Sequence, residues 1–374
     1  MKVLHTVGGF TVSGGGGITT CTYDLLRSLN ELGCQVDLLT ALSPGETLAG
    51  NGESWIHTVD NDYKTPLALS QNFKKALEAR DDYDLYHING LWMYANHITA
   101  AIARKQGKPY IISPHGMLFP EALKRSYWKK WPMLKLWFDR DIFSAAAIHV
   151  TSQQEASSVR NFGYKGKIVE IPNPLIFPDF IHELNGNKQA SRFEGNRKIG
   201  FLGRLHPIKC VDILIKGLAL SNNRHSITLY LLGDGDTKYV DELKRIVSAE
   251  KLEDNVIFWG FVSGRRKYEL ISEISTIFLP SYSENFGMIV PESLIMGTPV
   301  AASKGTPWQS LQEERCGWWI DRTPQAIAKV IDEVASLPAE ELRAMGDRGR
   351  KMVLARYNAP TVAHQMINHY SKII

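Results

Sequence analysis

The chain has 374 residues, so two domains are expected, because single cores seldom grow beyond ~250–300 residues. Hydrophobic residues make up 44% and charged residues 22%, which is ordinary globular composition. A net charge of +4 gives no field strong enough to imply a nucleic-acid partner, and none is expected.

No apolar run approaches the ~20 residues of a membrane span, so any work on a membrane substrate is expected from the surface. The cysteines at 21, 34, 210 and 316 lack metal-ligand spacing. Met1-Lys-Val-Leu-His-Thr-Val7 already reads as a strand and not as a signal peptide. Together these features lead us to expect a cytoplasmic protein.

Taken in chain order, the first half predicts strands at 2–7, 35–40, 83–88, 109–113 and 146–151, with helices near 18–33, 68–80, 94–106 and 152–162. Residues 172–196 are rich in Pro, Asn, Gly and Lys without clear periodicity, and they read as a linker. The second half predicts strands at 197–203, 226–233, 255–261, 276–280 and 299–303. Its helices fall near 209–221, 237–250, 264–274, 289–297, 324–336 and 339–356, and a last helix at 361–373 follows the break at Asn358-Ala-Pro360. Such alternation argues for parallel sheets covered by helices, and two of them argue for two Rossmann-like domains, an α/β architecture. The domains are expected at 1–175 and 176–358.

Several candidate residues fall where strands end. Gly8-Gly9 and Gly14-Gly-Gly-Gly17 follow the first strand, where glycine lets backbone approach a ligand. The second strand ends Leu39-Thr40 with no acidic residue there, which argues against a nicotinamide cofactor. Gly203-Arg204-Leu-His-Pro-Ile-Lys209 follows another strand and supplies two cations. Ser113-Pro-His115-Gly-Met117 and His87-Ile-Asn89-Gly-Leu-Trp92 end two more. In Ser281-Tyr-Ser-Glu284-Asn285-Phe286-Gly287-Met-Ile-Val-Pro-Glu292, two acceptor-only carboxylates flank the backbone N–H groups of a helix start. That combination suits a ligand with phosphates and hydroxyls. The plainer alternative is a carboxylate placed favourably on a helix dipole.

This last segment, with Met296-Gly297-Thr-Pro299 after it, resembles the E-x7-E motif of retaining glycosyltransferases of GT-B fold, in the family numbered four. The resemblance spans nearly the whole chain and is most specific in its second half. It implies two Rossmann-like domains with parallel sheets facing across a cleft, the last helix (359–374) returning to an N-terminal acceptor domain. Glu284 is then expected to face a donor sugar and Glu292 to hold ribose hydroxyls. Arg204 and Lys209, in a run similar to the family's G-R-L-x3-K-G, are expected to neutralise a diphosphate leaving group. Cys210 replaces that motif's final glycine, which puts the turn in question. Gly15, Gly16 and Gly17 are expected near the donor phosphates, with Asn285, Phe286 and Gly287 lining the donor site. His115 is expected to face the donor sugar, and Asn89 and Trp92 to line the acceptor.

The activity so implied is retaining transfer of a hexose or deoxyhexose from a nucleotide diphosphate sugar to a sugar hydroxyl, with the leaving phosphate deprotonating the incoming hydroxyl. No Asp-x-Asp metal motif is read, so neither metal nor cofactor is expected. Gly305-Thr-Pro-Trp308 and Cys316-Gly-Trp-Trp319 resemble a subset acting in capsule, O-antigen and exopolysaccharide assembly, although Trp318 and Trp319 fit core packing equally well. The stretch from Lys124 to Trp137 mixes Lys124, Arg125, Lys129 and Lys130 with Tyr127, Trp128 and Trp131. It suits an anionic membrane face carrying a lipid-linked acceptor, or a surface helix pair whose Trp residues reach the core, with Pro132 expected to interrupt any single helix. Rival readings are a nucleotide-sugar epimerase of similar fold, a non-catalytic sugar-nucleotide-binding protein, and a dehydrogenase, the last disfavoured by the second strand.

Overall fold

The computed structural model describes residues 1–12, 16–50, 52–61, 69–125, 127–187 and 191–374. These form two compact units, the first Met1–Ile176 with Tyr357–Ile374, the second Phe177–Arg356.

Unit 1 is built on seven parallel strands: β1 (Lys2–Val7), β2 (Gln35–Leu42), β3 (Ile56–Asp60), β4 (Leu85–Asn89), β5 (Tyr110–Ser113), β6 (Ala147–Val150) and β7 (Ile168–Glu170). Their order is β3-β2-β1-β4-β5-β6-β7. Unit 2 has six: β8 (Arg197–Leu202), β9 (Ile227–Leu232), β10 (Val256–Gly260), β11 (Thr276–Leu279), β12 (Val300–Ser303) and β13 (Gly317–Ile320), in the order β10-β9-β8-β11-β12-β13. Inner strands are covered on both faces, so they read as unbroken buried runs; every residue of β4, β5, β11 and β12 is buried.

Strand order reverses at β1 in unit 1, with β2 on one side and β4 on the other. It reverses at β8 in unit 2, between β9 and β11. Open α/β sheets bind ligands outside the C-terminal strand ends at such a switch point. The loops after β1, β4, β8 and β11 are therefore the ones that count.

The structure corrects three expectations. β3, β7 and β13 were not read as strands, because each is a sheet edge of three to five residues with a half-exposed pattern. The linker at 172–196 contains a helix, Phe180–Asn187, and a 3-10 turn, Ser191–Phe193. Tertiary packing overrides its poor composition there: Ile181 is buried and Phe180 meets the Tyr268 ring edge-on at 5.6 Å. Pro132 does not end its helix, since Tyr127–Met133 passes directly into a π-helical turn, Leu134–Phe138, and on into Asp139–Phe143. A wider turn of this kind absorbs the N–H that proline lacks. The final helix, Ala359–Tyr370, does return to the N-terminal unit as expected, where it buries Val362, Ala363, Met366 and Tyr370.

Candidate active site

In unit 2 the loop leaving β8 is tied to its neighbour by Gly203 N–H on Leu232 O at 3.0 Å and Leu205 N–H on Asp234 O at 2.8 Å. Gly233 must be glycine here, because its φ is +146° and a Cβ would lie 2.0 Å from Gly203 O. A 3-10 turn, Pro207–Lys209, then leads into the helix Val211–Leu220. Cys210 joins them at φ +53°, so it keeps the left-handed backbone that a glycine would supply, at a cost of about 1–2 kcal/mol.

Arg204 is exposed and makes no ion pair or hydrogen bond among the described residues. Lys209 Nζ rests on Glu284 Oε1, and Ser281 Oγ donates to the same oxygen at 2.7 Å. Tyr282 N–H on Ile208 O, at 2.7 Å, fastens the β11 loop to the β8 loop.

Beyond Glu284, buried Phe286 lies edge-on to Trp308 with ring centres 5.2 Å apart, and Trp308 Nε1 donates to Phe286 O. Gly287 turns the chain at φ +80° into the helix Ile289–Ile295, whose first turn carries Glu292. Lys267, from the helix Gly264–Glu273, meets Glu292 Oε1 at 2.9 Å. Both glutamates thus fix Oε1 on a lysine and leave Oε2 without a hydrogen-bond donor among the described residues.

The far end of that short helix is held by two arginines. Arg192 donates to Gly297 O at 2.6 Å, to Met296 O at 3.2 Å and to Thr298 Oγ1 at 3.0 Å, while Arg350 Nε donates to Ile295 O at 3.0 Å. Cations there satisfy orphan carbonyls and complement the dipole. Burial pushes the Arg192 pKa down to about 9. Sequence reasoning missed Arg192 and Lys267, since neither stands in a motif.

The second aromatic group is structural in part: Trp308 is buried, Trp318 packs against the unit 2 core, and Trp319 Nε1 donates to Thr306 O at 3.1 Å. Asp234-Gly235-Asp236, after β9, does have Asp-x-Asp spacing. Asp236 Oδ1 caps the helix Thr237–Ala249 by accepting from Lys238 N–H at 3.0 Å.

In unit 1, Gly14 and Gly15 lie outside the described residues, and Gly16 opens the helix Gly16–Glu31 with Gly17 behind it. His115 follows β5 at φ +50°, and Trp92 follows β4 at φ +72°. Non-glycine residues held in this region store strain and cluster at functional sites. The His115 turn is clamped by Glu155, a buried carboxylate whose Oε1 accepts from Gly116 N–H at 2.6 Å and whose Oε2 accepts from Thr151 N–H at 2.9 Å.

His115 Nε2 lies 3.4 Å from Asn89 Oδ1, and burial followed by the neighbouring His149 pushes its pKa down to about 3. Cys21, Thr22, Asn89, His115, His149 and Asn173 line one pocket. Asn89 is buried and its amide has internal partners, the backbone of Thr6 among them. Trp92 stands edge-on to Phe138 at 5.4 Å, and its indole N–H has no partner among the described residues.

The basic-aromatic stretch divides. Trp137 stacks on His97 at 4.9 Å and Lys130 sits over Trp92 at 5.6 Å, so these serve the fold. Trp128, 87% exposed, stands out with Tyr127, Trp131 and Leu136, and Lys124 and Arg125 are exposed beside them. The Lys129 side chain lies outside the described residues. No described helix is long and apolar enough to cross a membrane.

Comparison with known proteins places both halves. Residues 185–352 match the family described as Glycosyl transferases group 1, and residues 15–175 match Glycosyltransferase Family 4. A D-inositol 3-phosphate glycosyltransferase of Streptomyces avermitilis is 26% identical over 70% of this chain and 60% of its own. The O-antigen biosynthesis glycosyltransferase WclY of Escherichia coli is 30% identical over 35% of each. Across four such curated relatives the match spans only 38% to 61% of the relative's own length. Among solved structures, HepE of Anabaena in complex with UDP shares 20% identity at a TM-score of 0.76, covering 100% of both chains. Sucrose-phosphate synthase of Thermosynechococcus elongatus shares 22% at 0.77, covering 100% of this chain and 99% of that one. With both halves matched and that fold shared along its whole length, the chain belongs to the family 4, group 1 glycosyltransferases of GT-B fold.

Proposed function

We propose that the chain is a retaining glycosyltransferase. It moves a hexose or deoxyhexose from a nucleotide diphosphate sugar to a sugar hydroxyl, on a lipid-linked glycan in polysaccharide assembly. The observation that carries this reading is the paired arrangement at the unit 2 switch point: two glutamates, each anchored by a lysine through Oε1 and each keeping Oε2 as an open acceptor, beside the unpartnered Arg204. A carboxylate oxygen so placed accepts ligand hydroxyls. Arg204 and Lys209 supply positive charge where a diphosphate leaves. The comparisons support the donor class, since HepE has been solved with UDP and with UDP-glucose.

In this proposal Glu292 holds the ribose, Glu284 faces the sugar, and the Asn285–Gly287 turn lies against the phosphates. Unit 1 supplies His115 toward the sugar, and Asn89 and Trp92 toward the acceptor. The leaving phosphate takes the proton of the incoming hydroxyl on the same face, so the protein's work is orientation and charge stabilisation, with no metal in the scheme. The exposed Tyr127, Trp128, Trp131 and Leu136, with Lys124 and Arg125, are proposed to rest on an anionic membrane face at the cytoplasmic side.

Calorimetry with a nucleotide diphosphate and with its sugar, chosen from a thermal-shift panel, tests the assignment. Glu292→Gln is expected to weaken both ligands. Glu284→Gln is expected to spare the nucleotide diphosphate and to lose turnover. A large loss of nucleotide diphosphate affinity in Glu284→Gln alone reverses the roles, and product from donor without acceptor turns the reading into an epimerase. Sedimentation with anionic and neutral liposomes at low and high salt tests the membrane face. Negligible pelleting throughout removes that part and leaves the donor site standing.

A further inference from the structure

The polar side chains at the centre of unit 1 form one continuous chain of hydrogen bonds, and its ends fix every proton in it. Ile171 O can only accept, and it lies 2.8 Å from His149 Nε2, so that nitrogen carries the proton and His149 Nδ1 is bare. Ser113 Oγ, 2.7 Å from that Nδ1, therefore donates to it. Its oxygen accepts in turn from His87 Nε2 at 2.6 Å, which leaves His87 Nδ1 bare. Tyr370 O–H donates to His87 Nδ1 at 2.7 Å and accepts from His5 Nε2 at 2.9 Å. His5 Nδ1, bare in its turn, accepts from Asn89 Nδ2 at 3.3 Å.

The Asn89 amide is thereby turned so that Oδ1 faces His115. A second anchor gives the same orientation independently: Asn89 Nδ2 also lies 3.3 Å from Thr6 O, another group that can only accept. Asn89 Oδ1 thus has His115 Nε2 as its donor, at 3.4 Å.

We infer that this chain, with Tyr370 of the last helix as its central link, locks His115 as the Nε2–H tautomer and presents a bare Nδ1 at the C-terminal end of β5. His115 Nδ1 makes no hydrogen bond among the described residues, so its lone pair is left for a ligand. The neutrality the argument needs is favoured by burial, which pushes His5 down to about 3 and His149 to about 4. On the transferase reading, on which this clause rests, His115 accepts from a donor-sugar hydroxyl and never donates to one. A sugar carrying fluorine or a methyl ether at that position loses the contact, whereas an imidazole of free tautomer would tolerate fluorine.

Two-bond proton–nitrogen correlation spectra of the full chain, labelled with nitrogen-15 histidine at neutral pH and without ligand, test the inference. The expected result is that His5, His87, His115 and His149 all read as neutral Nε2–H tautomers. Tyr370→Phe alone is expected to leave all four unchanged, because His149 and His87 stay anchored through Ser113 on Ile171 O and His5 stays anchored through Asn89 on Thr6 O. Ser113→Ala alone is likewise expected to change no tautomer, since Tyr370 still donates to His87 Nδ1, whereas Ser113→Ala combined with Tyr370→Phe removes both partners of His87 and is expected to turn it alone into a mixture; the wild-type spectra decide the inference where the double variant fails to fold. An Nδ1–H or doubly protonated signal for any of the four in the wild type overturns the inference, as does a tautomer mixture at His5 or His87 in either single variant, or an unchanged His87 in the double variant. The spectra need no substrate, so absence of transfer activity would sink the transferase reading while leaving this result intact.

Discussion

Acidification is the most informative single perturbation of unit 1. His5, His87 and His149 each have one nitrogen donating and one accepting, so an added proton points a donor at another donor. His149 Nδ1–H, for example, would face the Ser113 hydroxyl that now donates to it. Burial imposes the desolvation cost of a charge, and this holds His5 and His115 at about 3 and His149 at about 4, with His87 well below its ordinary value. Unfolded, all four titrate near ~6.5.

The sign follows from proton counts: below pH ~6.5 the unfolded chain binds protons that the folded one refuses, so stability falls with pH. Between about pH 7.5 and about pH 5.5 each group costs roughly 1.4 kcal/mol, and the four together about 5 kcal/mol. That is a large share of the ~5–15 kcal/mol typical of a domain. Urea unfolding across this range, with hydrogen exchange followed separately in the amides of β1 and β4 and in those of β8 and β9, reads the effect. Loss of protection is expected in unit 1 strands first. Stability that stays flat between those pH values in the unit 1 strands would refute the reasoning, because the histidines would then take up protons without penalty.

Three further outcomes are expected. Arg204→Ala should lower turnover at least tenfold, in line with the ~2.7–4 kcal/mol carried by a transition-state charge partner. Its unfolding midpoint should stay put, since Arg204 is exposed and unpaired among the described residues. Glu155→Gln should destabilise unit 1 by about 1–3 kcal/mol in urea titrations, because an amide nitrogen would confront one of the backbone N–H groups of Gly116 and Thr151. Cys210→Val should cost about 1–2 kcal/mol by the same measurement while Cys210→Gly costs little, since β-branching is poorly compatible with φ +53°.

The architecture was legible because inner parallel strands leave unbroken apolar runs, as in Thr276–Leu279, whereas the edge strands Ile168–Glu170 and Gly317–Ile320 are short and half-exposed and leave no such trace. At the site, the residues carried by contiguous motifs were legible: Arg204, Lys209, Glu284 and Glu292 each stand at a fixed offset from a strand end. Their anchors were not. Lys267 reaches Glu292 across 25 positions and Arg192 reaches Gly297 across 105, and no local pattern reports such a contact. The histidine chain was harder still, since it joins positions 5, 87, 113, 149 and 370, which only the fold brings together.

The two units differ in how they handle charge, and the difference bears on the reaction proposed. At the unit 2 switch point each carboxylate is matched by a lysine, so Arg204 is left as an uncompensated cation. In unit 1 burial pushes the histidine pKa values down, and the buried carboxylate Glu155 is satisfied by backbone N–H groups. A diphosphate gains from the first environment, where negative charge grows as the glycosidic bond breaks. A cation in the second would stabilise the ionised hydroxyl before the phosphate could take its proton, whereas neutral acceptors orient hydroxyls without ionising them. Placing a charge there, as in His115→Lys, should therefore depress kcat more than His115→Asn, whose amide oxygen can still accept from a hydroxyl. The reverse order would mean that His115 acts through positive charge, and the neutral-acceptor role would fall.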